Sequence, residues 1–152
     1  MKRYNKLTER LFSADLRWGE ISINPTHTFS CFLIIQHEEG TEFIQKNAVS
    51  LLLSGCREFG LFGEKWSKWK DGIVNAHRCM FPVSSPKSQP EISVYGSQQA
   101  LTDKIREDLS LRPFIPHDMY LLYDDDAIYQ EALKSLGMKN NMENNKWTEK
   151  ND

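Results

Sequence analysis

The segment from Thr28 to Gln36 constrains the fold more than any other part of the chain. Its residues are mainly Phe, Ile, Leu and Cys, and polar positions do not alternate with apolar ones as they do in a half-exposed strand. A strand that is apolar on both sides has to be covered on both sides, so this pattern predicts a central strand of a sheet. The chain must therefore supply covering elements for two faces.

A long amphipathic stretch follows and supplies one of those elements. Its apolar residues recur at helical spacing, which predicts a helix from Thr41 to Phe59 that ends at Gly60 and Gly63. The apolar arc is wide. We therefore expect this helix to pack on the sheet and to be covered on a second side as well.

The second half of the chain alternates predicted strands and helices. In order, these are a strand over 91–95, a helix with Leu101, Ile105 and Leu109 at a spacing of four, a strand over 118–123, and a helix that starts at three aspartates and ends at Gly137.

The first half of the chain is less regular. Its patterns predict a short N-terminal helix through Leu7, Leu11 and Phe12, a hairpin between 21–23 and 28–36, a loop over 64–72, and a strand within 73–83.

These elements predict a single α+β domain over residues 1–137. We expect a mixed or antiparallel sheet of about four to five strands, packed against about two to three helices. Residues 138–152 combine asparagines with charges that sum to zero and lack an apolar pattern. We predict that this polar C-terminal tail is mostly disordered.

Charge and cysteine content indicate the compartment. The chain has 19 basic and 21 acidic side chains, which argues against a protein that coats nucleic acid. Its purest apolar run, 31–35, is far shorter than the roughly 18 residues that span a bilayer, and no signal-peptide core follows the basic start. The three cysteines have no repeated spacing, which is typical of reduced and mostly buried thiols. We therefore expect a cytoplasmic protein without a membrane segment.

The stretch from Asp118 to Glu131 holds five acidic residues and no basic one. Aspartates at the start of a helix cap free N–H groups and interact with the positive end of the helix dipole. Two of Asp124, Asp125 and Asp126 would meet that need. The third suggests an acidic patch that binds a partner, although capping alone explains much of the pattern. No second acidic cluster stands at the spacing of a calcium loop, so we predict no metal site.

A second candidate surface contains Trp66 and Trp69, which alternate with three lysines. Aromatic rings beside cations can stack on single-stranded bases. Glu64 and Asp71 dilute the positive charge here, which favours a core edge or a protein-contact rim over nucleic acid.

No specific catalytic motif occurs in the chain. It lacks paired zinc-ligand spacings, a nucleophile elbow, a phosphate-binding loop and a dinucleotide fingerprint. We therefore predict no catalytic residue and no cofactor. The alternatives are a small enzyme whose site forms only in three dimensions, with His27, His37, His77 and Asp118 as suspects, and an adaptor or subunit of a larger bacterial or phage assembly.

In overall profile, the chain resembles bacterial immunity proteins, such as the antidotes of contact-dependent inhibition toxins. The resemblance rests on small size, slight acidity, an acidic helix start and the empty motif search. It implies a protein that binds a cognate toxin domain, often a nuclease, and covers its active site. Carboxylates could imitate the phosphates that a basic nuclease surface binds. The candidate contact residues are Asp124, Asp125, Asp126, Glu38, Glu39, Trp66 and Trp69.

Overall fold

A mixed six-stranded sheet runs through the molecule between two layers of helices. The computed structural model describes residues 4–18, 23, 28–82, 89–111 and 117–138. The strands are β1 (Tyr4–Lys6), β2 (Leu11–Asp15), β3 (Thr28–Ile34), β4 (Glu58–Phe62), β5 (Glu91–Val94) and β6 (His117–Tyr123). The helices are α1 (Thr41–Leu53), α2 (Trp66–Met80), α3 (Gln98–Leu111) and α4 (Asp126–Ser135), with a short 3-10 helix at Leu16–Trp18. The predicted combination of one mixed sheet with helices is confirmed, with more strands and helices than expected.

The order of strands across the sheet is β1-β2-β6-β3-β4-β5. All neighbouring pairs are parallel except β1 and β2, which form an antiparallel pair at one edge. In this arrangement β3 lies between β6 and β4, and Leu33 is level with Leu122 on one side and Leu61 on the other. The prediction that residues 28–36 form a central strand is therefore confirmed.

Side chains of β3 alternate between two hydrophobic cores. Cys31 and Leu33 belong to the core beneath α1 and α2, while Phe32 and Ile34 belong to the core beneath α3 and α4. All four side chains are at most 3% exposed. Both faces of the strand are covered, which is why its sequence shows no polar alternation.

The structure corrects the predicted loop over 64–72 and the predicted strand within 73–83, because α2 occupies most of both. Its buried residues Trp69, Ile73, Ala76 and His77 follow helical spacing, whereas the lysines of the segment stay on its outer side. Gly72, the last residue of the predicted loop, lies inside this helix and allows close packing. A Cβ atom at this position would come within 2.5 Å of the Ile44 side chain on α1.

The predicted helix from Thr41 to Phe59 is also too long. α1 ends at Leu53, Gly55 turns the chain with a φ of 106°, and β4 begins at Glu58. Phe59 and Leu61 are buried in the same core as the apolar residues of α1, because their side chains point toward α1 and α2. Apolar periodicity alone does not distinguish a short buried strand from the continuation of a helix.

At the N-terminus, the predicted short helix is wrong. Leu11 packs into the α3–α4 core and Phe12 stacks on Tyr120 on the other face, at 5.2 Å between ring centroids. Consecutive residues on opposite faces require a strand. The first partner of the predicted hairpin lies mostly outside the described residues. Within the described ranges, both strands that pair with β3 are parallel to it. Residues 139–152 of the predicted tail also lie outside them.

Candidate functional site

The sequence-predicted acidic residues lie where β3 and β6 end. These two strands are parallel neighbours, yet α1 leaves β3 toward one face of the sheet and α4 leaves β6 toward the other. The loops therefore diverge, and in sheets of this kind ligands bind in the crevice that such a divergence opens. We call this region the carboxyl-edge surface. It comprises Asp15, Arg17, His37, Glu38, Glu39, Lys65, Trp66, Lys68, Asp124, Asp125 and Asp126.

Asp124 joins the two diverging loops. Its carboxylate accepts hydrogen bonds from the backbone N–H groups of Gln36 at 2.8 Å and His37 at 3.0 Å, and its own N–H donates to the Ile34 carbonyl at 3.1 Å. The residue is 1% exposed. Both carboxylate oxygens are used inside the molecule, so Asp124 has a structural role and does not present charge to a partner.

Asp125 is the N-cap of α4, as the sequence predicts for this group of aspartates. One carboxylate oxygen accepts from the Ile128 N–H at 3.0 Å, and the other lies 3.1 Å from Nε2 of His37. The imidazole is half-exposed, so its ring links the β3–α1 loop to the start of α4 at the surface.

Asp126 is the exposed member of the three. Its side chain is 68% exposed and lies 3.0 Å from Arg17, which also pairs with Asp15 at 2.6 Å. Hydrogen bonds to Asp15 and then to Asp126 raise the pKa of the Arg17 guanidinium above its already high ordinary value. The ion pairs join the ends of β2 and β6 across the sheet.

Glu38 and Glu39 extend the surface toward α2. Glu38 accepts hydrogen bonds from Lys68 and Lys65, which lower the pKa of its carboxyl group. Lys68 also donates to the backbone carbonyl of Glu39 at 3.0 Å. The pKa of the Glu39 carboxyl is raised, first by partial burial and second by the nearby charge of Asp124. The pKa values of the two glutamates are thus shifted in opposite directions.

The two tryptophans have different positions. Trp66 starts α2 beside this surface and is 37% exposed, whereas Trp69 is 1% exposed and belongs to the core beneath α1 and α2. Trp69 contacts Phe43 edge-on, at 6.4 Å between ring centroids. Its burial removes Trp69 from the candidate contact surface and leaves Trp66 as the aromatic side chain there.

Three of the four residues suspected of catalysis lie in the described part of the chain, and these three do not converge. His37 pairs with Asp125, His77 is buried on α2 against Phe81 at 5.0 Å, and Asp118 lies 3.8 Å from Arg10 at the start of β6. His27 lies outside the described residues.

Sequence reasoning missed a polar cluster at the opposite end of β3 and β6. The buried His117 lies 2.7 Å from the Ser30 hydroxyl through Nε2 and 2.9 Å from the Thr28 hydroxyl through Nδ1. The only sequence signal is a serine inside an apolar strand, and it does not reveal the strand that pairs with it.

Comparisons with known proteins add no identity: no family model matches the chain, and neither does any curated protein. None of the helices in the described ranges has the length and apolar composition needed to cross a bilayer.

Proposed function

We propose that the carboxyl-edge surface binds a protein partner, and that the chain acts in the cytoplasm as the antidote of a toxin domain. One observation carries the proposal: three separate segments bring exposed carboxylates and an exposed tryptophan to one edge of a rigid sheet. Asp126 and Glu38 are 68% and 61% exposed, and Trp66 is 37% exposed. Rigid elements that present an aromatic anchor within a charged rim are typical of protein-binding sites.

The charge of this surface indicates the chemistry of the partner. Apart from the buried Asp124, five carboxylates lie there with three basic side chains, so the edge is more acidic than the nearly neutral chain as a whole. A basic surface, such as the phosphate-binding cleft of a nuclease toxin, would complement it. Covering that cleft would block substrate entry.

The test uses the toxin domain encoded by the gene next to the one for this chain. Co-production should restore growth of cells that make the toxin, and calorimetry should give a Kd that rises with salt concentration. A variant that carries Asp126→Asn, Glu38→Gln and Trp66→Ala should bind at least about 30-fold more weakly, because it loses two surface charges and an aromatic anchor.

The matched control carries Glu107→Gln, Glu131→Gln and Leu53→Ala, which change the same number of exposed charges and one exposed apolar side chain elsewhere. Its Kd should stay within about twofold of the unmodified chain. Equal weakening in both variants, or a neighbouring gene product that the chain does not neutralise, would contradict the proposal.

A further inference from the structure

A hydrogen-bonded chain of three side chains lies at the amino end of β3 and β6, away from the carboxyl-edge surface. Its members, in order, are Thr28, His117 and Ser30. Ser30 is 2% exposed and His117 is 4% exposed, and their side chains are joined at 2.7 Å. In the tautomer that has its proton on Nδ1, His117 donates to the Thr28 hydroxyl, and its Nε2 accepts the Ser30 proton. A nucleophile, a base and a group that orients the base are the parts of an activated serine.

A small cavity of about 90 Å³ adjoins Ser30, between α3 and strands β3 to β5. Its lining includes Gly60, Ser93, Tyr95, Lys104 and Asp108. Gly60 lets the Phe32 and Tyr95 rings pack closely over β4 at the cavity wall, because a Cβ atom there would come within 2.7 Å of the Phe32 ring and 2.8 Å of the Tyr95 ring. Ser30 and Phe32 lie on the same face of β3, so the Ser30 hydroxyl is on the face that α3 covers.

We propose that Ser30 is a nucleophile, activated by His117, that accepts small acyl groups from activated esters entering this cavity. The Ser30 oxygen bonds to the carbonyl carbon of the ester while its proton passes to Nε2 of His117. The bond from that carbon to the alcohol oxygen then breaks, and His117 returns the proton to the departing alcohol. Water attacks the acyl-serine by the same route, releasing the carboxylic acid and restoring the hydroxyl.

The cavity limits the substrate to short acyl groups and offers hydrogen-bond donors to the developing oxyanion. Tyr95 keeps its phenolic proton over a wide pH range, since burial raises the pKa of that group. Lys104 is held by Asp108 at 3.2 Å, and this hydrogen bond raises the pKa of the ammonium group. Both side chains belong to the cavity lining. Thr28 does not contact the substrate and acts as a positioning residue through His117.

The test mixes the full chain with p-nitrophenyl acetate, follows p-nitrophenolate release, and locates the acetyl group by peptide mass spectrometry. We expect release above the buffer rate and an acetyl group on Ser30. Ser30→Ala should lower the rate by about 100-fold or more. Ser67→Ala removes an exposed serine of α2 outside the cavity, so it should retain both the release rate and the acetylation of Ser30.

Two further variants separate chemistry from folding. Thr28→Val should lower the acylation rate at saturating ester while the half-saturating ester concentration stays unchanged, because Thr28 orients the base and leaves the cavity intact. Ser30→Cys keeps a nucleophile, so the acetyl group should appear on the new thiol if Ser30→Ala fails to fold. Acetylation confined to lysines, or equal rates in folded Ser30→Ala and the unmodified chain, would overturn the proposal. It is independent of the proposed partner-binding function.

Discussion

Asp124 accepts backbone hydrogen bonds with both carboxylate oxygens from a loop 88 and 87 residues away in the chain. Hydrogen bonds to a charged group contribute more than neutral ones, and a buried donor left without an acceptor is costly. Asp124, the least accessible of the three aspartates, thus holds the loop after β3 against the start of α4.

We expect Asp124→Asn to lower the free energy of unfolding by about 2–3 kcal/mol, because the amide NH2 group would face a backbone donor. Asp126→Asn is the control. Its exposed carboxylate makes a surface ion pair, so the change should stay below about 0.5 kcal/mol. Urea unfolding followed by tryptophan fluorescence measures both. Equal effects of the two substitutions would refute the structural role of Asp124.

The cysteines also differ residue by residue. Cys31 and Cys56 are buried, whereas Cys79 is exposed on α2. Burial, and next the neighbouring Cys56 thiol, raise the pKa of Cys31, which keeps it in the unreactive thiol form. We predict that a thiol-specific chromogenic disulfide modifies one group rapidly in the native protein and the other two only after denaturation. Cys79→Ser should abolish the rapid phase, and a second rapid group would contradict this assignment.

At the scale of elements, the loops after β3 and β4 come into direct contact at Gly63. Its φ is 122°, and a Cβ atom there would overlap the Ile35 carbonyl group. The same stretch is tied by bonds from the Ile35 N–H to the Phe62 carbonyl at 2.7 Å and from the Lys65 N–H to the Ile35 carbonyl at 3.0 Å. These contacts fix the start of α2 relative to the start of α1.

Gly63→Ala should therefore cost about 3 kcal/mol or more in the free energy of unfolding, from backbone strain and steric overlap together. Gly96→Ala, at a glycine with open space around its Cβ position, is the control and should change stability by less than about 1 kcal/mol. Chemical denaturation gives both values. A small effect at Gly63 would contradict the prediction, because it would mean that the two loops can separate without a loss of stability.

Single elements were predictable where their local pattern was unambiguous. β3, β6, α3 and α4 have clear apolar runs or regular spacing, and each was predicted within a few residues. α2 was predicted instead as a loop followed by a strand, because the contact of Gly72 with the neighbouring α1 cannot be seen in the local pattern. Contacts between elements far apart in the chain are absent from a local pattern, and this also explains why β4 was read as part of a helix.

For the whole molecule, the sequence predicted which residues would lie at the candidate surface better than it predicted their roles. Glu38, Glu39, Asp125, Asp126 and Trp66 do come together, because the ends of neighbouring parallel strands share one edge. The burial of Asp124 and the meeting of Ser30 with His117 depend on β6 pairing beside β3. That pairing joins segments that are separated in the chain by three helices and two strands, and no local signal encodes it.

The central place of β6 has a consequence for how the protein is made. β2 and β3 follow each other in the chain, but β6 separates them in the sheet, and it pairs with both. During synthesis, every earlier strand leaves the ribosome before the one that joins the two parts. The nascent chain therefore carries two open strand edges until residues 117–123 emerge, and such edges can pair with other chains. Completing the sheet requires this one strand to pair along both of its edges, with β2 on one side and β3 on the other.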